Sequence, residues 1–327
     1  MRRLGVLTSG GDAPGTNACI RAVVRTALYH DFDVVGIRRG YVGLMEEEFE
    51  KLDGRFVGGI AHRGGTILKT ARTERFKEEE GRLQALQNLE KHQVDVLVVI
   101  GGDGSLRGAL RLKEAGFHVV GVPATIDNDV AFTDMALGVD TAMNTALRAI
   151  DQIKDTATSH RRAFLVQTMG RDSGYLALMV GMASAAEAII IPEVPASCAT
   201  ILGKIKEAHG KGKAHFIAVI AEGAKPDCLT IDQYLKDREE ELGFGVRVSI
   251  LGYIQRGGSP TAFDRLLGTR LGVKAVEELA HGRHGTMAGL VGSRVVATDL
   301  EDVLARPREL DLSLYELAQR LEVYPER

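Results

Sequence analysis

The sequence predicts an α/β protein with parallel sheets lying between helical layers, in about two domains. Short apolar runs that show no in/out alternation, such as Val94–Ile100, suit strands buried on both faces. Each run passes through a turn, mostly glycine-rich, and most continue into a helical pattern; strands alternating with helices imply a parallel sheet. The chain has 327 residues, and domains of about 150 residues each make two the natural number. A chain of that size buries a large core without disulfide or metal staples.

Taken in order, Leu4–Leu7 leads through Thr8–Gly15 into a helix over Ala18–Tyr29. Val94–Ile100 leads through Gly101–Ser105 into Leu106–Glu114. Val119–Val122 ends in the turn Pro123–Asp129, Ala163–Thr168 leads through Met169–Gly174 into Leu176–Ala186, and Phe216–Ala221 leads into Glu222–Ala224. In sheets of this kind ligands bind at the carboxyl ends of the strands, where these turns fall. The mixed charges of Asp232–Glu241 read as a solvated helix face. A domain boundary is placed near residue 140.

Lys plus Arg number 41 and Asp plus Glu 44, a formal net charge of −3. That balance argues against a general nucleic-acid or membrane-surface role, which needs a basic field. Cys19, Cys198 and Cys228 are odd in number and far apart, so they make neither a disulfide framework nor a zinc cluster, and a reduced, cytoplasmic compartment is expected. The start, MRRLGVLTSGGD, is broken by glycine and polar residues too early for a signal peptide. No apolar run approaches the roughly 18 residues of a membrane span.

Three turns carry chemistry. Gly10-Gly11-Asp12-Ala13-Pro14-Gly15 lies between a strand and a helix, where backbone N–H groups and the helix N-terminus favour a phosphate. It matches neither GxGxxG nor a Walker A loop, and a tight βα turn is the plainer alternative. Gly101-Gly102-Asp103-Gly104-Ser105 places an acid between glycines at the end of the most apolar strand, which suits Mg²⁺ or, alternatively, a cap for the next helix. In Pro123–Asp129, an extended backbone would turn Thr125, Asp127 and Asp129 to one side. Two close carboxylates raise one pKa unless a cation intervenes, so one can take a proton from a hydroxyl while the other orders a metal or its water. Arg72, Arg161, Arg162, Arg171, Arg247 and Arg256 lie in or near glycine turns and strand ends. Arginine suits bidentate phosphate contacts, and acid, metal and arginine together suit phosphoryl transfer.

The segments TSGGDAPGTN, RGGT with Ala71-Arg72, VVIGGDGS, PATIDND, MGR, AEG and LGYIQRGGSPTAFDR resemble, in order and spacing, those of bacterial 6-phosphofructokinases, from residue 4 to about 275. The resemblance implies transfer of a phosphoryl group from ATP to O1 of fructose 6-phosphate, a Mg²⁺ requirement and a homotetramer. It implies two doubly wound, mainly parallel-sheet domains with the active site in the cleft between them. The nucleotide-binding domain would comprise 1–140 plus about 258–305, and the sugar-phosphate domain 141–257 plus about 306–327. Asp127 is similar to the general base, Asp129 to its metal-side partner and Asp103 to the Mg²⁺-associated acid. Thr125, Arg72 and Arg171 resemble the groups holding the transferring phosphoryl. Gly11, Gly102, Gly104, Ser105, Tyr41 and Gly108 match nucleotide positions. Met169, Gly170, Glu222, Tyr253 and Arg256 match sugar-phosphate positions, completed by Arg162 and Arg247 from a neighbouring subunit.

The donor divides the family. The pyrophosphate-using branch carries Asp and Lys where this chain has Gly104 and Ala124, so the small pair implies ATP. Tyr253 replaces a usual His, and Tyr cannot carry positive charge, so weaker or less pH-sensitive sugar-phosphate binding is expected. Thr73 and Lys77 replace a Phe and an Arg beside the adenine, which implies a broad nucleotide choice. Arg21, Arg25, Arg55, Lys154, Glu187, Lys211, Lys213 and His215 match an inter-subunit effector site for ADP or phosphoenolpyruvate. There Gly54, Gly59 and Lys154 replace a usual Arg, Asp and Arg, which implies an altered response. A dinucleotide-dependent oxidoreductase is disfavoured by the missing GxGxxG and ribose acid. A non-catalytic subunit is disfavoured because Asp127 and Asp129 are both present.

Overall fold

The computed structural model describes residues 2–322. The chain divides into two compact units, the first formed by residues up to Thr141 with Arg256–Arg308, the second by Ala142–Gln255 with the chain from Glu309 on.

The first unit holds β1 (Arg3–Ser9), α1 (Thr16–Tyr29), β2 (Asp33–Ile37), α2 (Tyr41–Met45), β3 (Phe49–Leu52), α3 (Glu79–Lys91), β4 (Val96–Gly101), α4 (Asp103–Glu114) and β5 (His118–Pro123). After α5 (Val139–His160), which starts there and continues into the second unit, the latter holds β6 (Arg162–Thr168), α6 (Tyr175–Ala183), β7 (Ala188–Ile190), α7 (Cys198–Gly210), β8 (Phe216–Ala221), α8 (Cys228–Lys236), α9 (Glu239–Leu242) and β9 (Gly245–Ile250). The chain returns to the first unit with α10 (Ala262–Ala280), β10 (Thr286–Val291), β11 (Arg294–Asp299) and α11 (Leu300–Ala305), and ends in the second with α12 (Leu312–Glu322).

The first sheet runs β11-β10-β5-β4-β1-β2-β3, parallel from β10 to β2 with antiparallel edges at β3 and β11. Every residue of β4 is buried, as a strand covered on both faces requires. From β1 the chain goes to β2 on one side and reaches β4 on the other. The carboxyl ends of β1 and β4, with Ser9 paired to Gly101, therefore form the point where the strand order reverses. Helix α10 lies unusually close to α1: Gly268 and Gly272 present no side chain where a Cβ would stand 2.8 Å from the Gly15 carbonyl and 2.7 Å from that of Cys19. Alanine at either position would overpack this contact, at a cost of about 1–3 kcal/mol.

The second sheet, β7-β8-β6-β9, is parallel throughout. Its core is aliphatic, with Leu165, Val166 and Ile217–Ala221 fully buried. The strand ends Thr168 and Ala221 pair, and Gln167 pairs with Ile250, so the turns opening at Met169, Glu222 and Leu251 share one edge.

Two local expectations are corrected. Asp232–Glu241 is not one solvated face: α8 stops at Lys236, Asp232 and Leu235 are buried, and Asp232 pairs with Lys236 at 2.7 Å. Nor is Thr125–Asp129 extended. The Asp127 N–H donates to Thr125 Oγ1 at 3.1 Å, a local turn, and Asn128 adopts a left-handed φ of 50°. Buried Asn128 holds that bend: its Oδ1 accepts from the Ala136 N–H at 2.9 Å and its Nδ2 donates to the Asp134 carbonyl at 3.2 Å.

Candidate active site

In the first unit three turns meet at the reversal of strand order. The first, Gly10–Gly15, ends at Gly15, which caps α1 with φ 94° and offers no side chain to the helix N-terminus. The Arg256 guanidinium lies over it, its Nη1 2.9 Å from where a Gly11 Cβ would stand. The returning segment and the 62–64 turn press together beside it: Ser259 donates to the His62 carbonyl at 2.8 Å, and a Gly64 Cβ would meet the Gly258 carbonyl at 2.3 Å. Thr70 donates to the Gly10 carbonyl at 2.8 Å, and Arg72 follows it, exposed in coil.

The second turn opens α4. Gly102 is its N-cap and again supplies no side-chain cap. Asp103 begins the helix and pairs with Arg107 one turn on, at 2.8 Å. A Cβ at Gly104 would meet nothing within 4 Å, whereas one at Gly101 would strike Ser105 Oγ and the Ser9 carbonyl at 2.5 Å. The α1 and α4 N-termini thus keep unsatisfied backbone donors at the place where phosphate binds in this architecture. Behind the turn, Tyr41 is buried. Its hydroxyl donates to the Ser105 carbonyl at 2.7 Å, and its ring stacks on Phe76 at 4.0 Å. Gly108 makes room for that ring, since a Cβ there would lie 2.6 Å from it. Tyr41 and Gly108 thus shape the floor under the second turn. Burial pushes the Tyr41 hydroxyl far above its ordinary pKa, so it stays a neutral donor.

The third turn carries Thr125, buried Asp127 and half-buried Asp129. It is registered by a parallel bridge between Ala124 and Leu137: Leu137 N–H donates to the Pro123 carbonyl at 3.0 Å, and Thr125 N–H to the Leu137 carbonyl at 3.2 Å.

The second unit builds its site differently. Glu222 Oε1 accepts from the Gly170 N–H at 3.2 Å and from the Arg171 N–H at 2.7 Å. Glu193 Oε1 accepts at 2.8 Å from the N–H of Gly174, the N-cap residue of α6. Gln255 Oε1 accepts from the Met169 N–H at 3.2 Å. Met169, Gly170, Arg171 and Glu222 therefore come together, with Tyr253, 79% exposed, on the turn beyond β9. Arg162 and Arg247 stand elsewhere on this sheet. Arg162 begins β6, six residues before Thr168, so about 20 Å separates it from the 169–171 turn. Arg247, on the β9 edge, pairs in register with Phe164 and so shares a face with Arg162.

The residues matched to an effector site fall into two groups. Arg21, Arg25 and Arg55 belong to the first unit, where Arg25 donates to the Gly54 carbonyl at 2.8 Å. Lys154, Glu187, Lys211, Lys213 and His215 belong to the second. There Glu187 accepts from Lys213 at 3.1 Å and from the Ile217 N–H at 2.7 Å, Lys154 donates to the Ser184 carbonyl, and His215 Nδ1 meets Thr158 Oγ1 at 2.9 Å.

Sequence reasoning did not single out three buried or bridging groups. Asn17 ties down the 63–67 loop through the carbonyls of Arg63 and Gly64 and the Ile67 N–H. Asp264 is fully buried and accepts from Gly138 and Thr141. Its signal was the Thr261-x-x-Asp264 spacing of a capping box. Glu193 in IPEVP left no such trace.

The fold and these turns define a class, a doubly wound α/β protein whose first unit opens α1 and α4 on glycine N-caps that no side chain fills. The family model described as Phosphofructokinase matches residues 3–279. The chain is 50% identical to a protein of Thermotoga neapolitana named ATP-dependent 6-phosphofructokinase, over 98% of this chain and all of that one. A Pichia pastoris phosphofructokinase structure superposes with a TM-score of 0.86 at 35% identity, over 98% of this chain and 39% of that one. A pyrophosphate-dependent phosphofructokinase from Marinobacter aquaeolei shares the fold at 21% identity, with a TM-score of 0.83 over 96% of this chain and 86% of that one. The chain belongs to the phosphofructokinase family.

Proposed function

We propose that this protein transfers the γ-phosphoryl group of ATP to O1 of fructose 6-phosphate, giving fructose 1,6-bisphosphate and ADP. The observation that carries this reading is the pair of uncapped helix N-termini, α1 and α4, beside each other at the strand-order reversal of a phosphofructokinase chain. Asp127 accepts the O1 proton as O1 bonds to the γ-phosphorus and the bond from that phosphorus to the leaving ADP oxygen breaks. Thr125, Arg72 and Arg171 offset charge on the transferring group, which in this chemistry is mostly positioning and neutralisation. Asp129 supports the metal-nucleotide end. The first and second turns cradle the donor phosphates.

Open space at Gly104 and a small Ala124 favour a nucleotide donor over pyrophosphate. Mg²⁺ takes one or two carboxylates and otherwise keeps waters and phosphate oxygens. Asp103, one carboxylate oxygen of which pairs with Arg107, stands beside open backbone and fits an ion of that kind as a single carboxylate, and no cluster of three metal-binding side chains occurs among the described residues. Asp103 would hold the ion together with the donor phosphates, and the ion would supply neutralising charge.

Glu222, Met169, Gly170, Arg171, Tyr253 and Arg256 receive the sugar phosphate. Arg162 starts β6, about 20 Å before the 169–171 turn, and Arg247 shares its face, so both are assigned to a neighbouring subunit's site in a homotetramer. ADP or phosphoenolpyruvate at the Arg21, Arg25, Arg55, Lys154, Glu187, Lys211, Lys213 and His215 positions would tune the rate, and titrating both against rate and sugar-phosphate cooperativity tests that site. A cytoplasmic, glycolytic role accords with this chemistry, and among the described residues no helix is long and apolar enough to cross a membrane.

The experiment is fructose 1,6-bisphosphate formation with Mg²⁺, ATP in one reaction and pyrophosphate in the other. Turnover with ATP alone is expected. Turnover with pyrophosphate would refute the donor assignment, and turnover with neither would refute the substrate.

A further inference from the structure

Two helix N-termini converge on one buried carboxylate. Asp264, in the first turn of α10, accepts at Oδ1 from the Gly138 N–H at 2.9 Å, and at Oδ2 from the Thr141 N–H at 2.8 Å and the Thr141 hydroxyl at 2.5 Å. These donors open α5. The exchange is reciprocal: the Thr261 N–H donates to Thr141 Oγ1 at 3.1 Å, and Thr261 Oγ1 donates to Asp140 Oδ2 at 2.6 Å while accepting from the Asp264 N–H at 3.3 Å. Helix N-termini carry partial positive charge, so two facing each other would repel without an anion between them. Burial raises the Asp264 pKa, with nearby Asp140 adding to the rise, while the bonds from Thr141 and Gly138 oppose it.

The anchored residues are neighbours of the chemistry. Gly138 follows Leu137, whose bridge to Ala124 registers the Thr125–Asp127 turn. Gly138 also packs on the first turn, where its Cβ would lie 2.7 Å from that of Ala13, and a Gly15 Cβ would meet the Asp264 carbonyl at 3.0 Å. Asp264 touches no reacting group itself.

We propose that Asp264, through Gly138 and Thr141, is a positioning residue for phosphoryl transfer that holds the base-bearing turn in register with the phosphate-binding turn. This deepens the functional reading above and rests on it in one respect, that Asp127 is the base.

The test uses the full chain with Asp264→Asn, Thr141→Val and Thr141→Ser. Asn presents an amide donor to one of the helix N–H groups. Val removes the hydroxyl at nearly constant volume, and Ser restores it. For Asp264→Asn and Thr141→Val, kcat with ATP and fructose 6-phosphate should fall at least about 10-fold while both KM values stay within about twofold, the signature of a misplaced reacting group. Hydrogen exchange of the amides of 124–138 should quicken at least about 10-fold while that of β4 is unchanged. Thr141→Ser should match the wild type in both readouts. If Asp264→Asn fails to fold, Thr141→Val decides, because it keeps the carboxylate and both N–H bonds. Folded variants with unchanged kcat and unchanged exchange, or Val and Ser behaving alike, would overturn the proposal. Exchange is read without substrate, so a wild type that does not turn over refutes the activity while the 124–138 amides still judge the anchor.

Discussion

The two units use one architectural device, the carboxyl edge of a parallel sheet, in opposite ways. In the first, the N-termini of α1 and α4 end in Gly15 and Gly102 and no side chain caps them. In the second, carboxylates occupy amides of the turn after β6 instead: Glu222 holds Gly170 and Arg171, and Glu193 holds the N–H of Gly174, the N-cap residue of α6. An open, positively polarised turn attracts a polyanion. A turn filled by carboxylates repels one there and offers acceptors for hydroxyl groups instead. The same geometry thus leaves open backbone donors on one sheet and carboxylate acceptors on the other, which is the division the proposed function assigns to donor phosphates and sugar hydroxyls.

That contrast can be broken in steps. The largest effect is expected at Asp127, the proposed base. Asp127→Ala should lower kcat by about 10³-fold with little change in either KM, the scale of a lost general base, measured by coupled formation of fructose 1,6-bisphosphate. A variant that keeps full turnover would remove Asp127 from the mechanism.

Gly104→Asp closes the open turn electrostatically without disturbing packing, since a Cβ there meets nothing within 4 Å. A carboxylate facing donor phosphates should cost about 2 kcal/mol, roughly 30-fold in kcat/KM for ATP. The melting temperature should hold, and loss of folding instead of ATP use would contradict the open-space argument.

On the other sheet, Glu222→Gln keeps an acceptor for the Gly170 and Arg171 amides but drops the charge. Hydrogen bonds to charged groups exceed neutral ones by about 1 kcal/mol, so KM for fructose 6-phosphate should rise about fivefold. KM for ATP should not move, and equal rises in both would erase the division of labour between the sheets. Tyr253→His should lower KM for the sugar phosphate by about threefold, more so below about pH 6.5 where the imidazole is charged. Exposure keeps that effect small, and an unchanged KM would dismiss Tyr253 as a determinant.

A separate effect, on stability rather than on turnover, concerns the first unit alone. Glu278 is buried and gripped by Arg283 at 2.7 Å and Lys274 at 2.8 Å, which holds its carboxyl down at about 2. A depressed folded pKa stabilises the protein above the ordinary glutamate value, so this contribution is present at neutral pH. It is lost as pH falls from about 4.5 toward 2, an effect of order 2–3 kcal/mol. Glu278→Gln should flatten that limb of the stability–pH curve measured by denaturant titration. An unchanged limb would show that the pair adds nothing.

Residue order alone fixed the strand-turn-helix units. Apolar runs such as Val96–Gly101 bury on both faces, glycines mark the turns after β1 and β4, and two acids beside a threonine mark the turn after β5, so β1, β4, β5, β6 and β8 and these three turns were legible in the sequence. The short strand β7 and the edge strands β3 and β11 were not, because four or fewer residues, or half-buried ones, leave no distinctive period. The alternation expected of Thr125–Asp129 failed for a specific reason: Asn128 finds partners at Asp134 and Ala136, several residues away, and these stabilise a left-handed bend that local pattern opposes. The Asp232–Glu241 charges misled in the same way, since the burial of Asp232 depends on what packs against α8. Asp264 makes the point most sharply. Its capping-box spacing announced a cap for its own helix, but its carboxylate serves α5, more than 120 residues earlier in the chain. Sequence determines which groups exist and their local spacing. Only the folded chain decides which distant helix ends share a charge, because that attraction acts through space between elements the sequence keeps far apart.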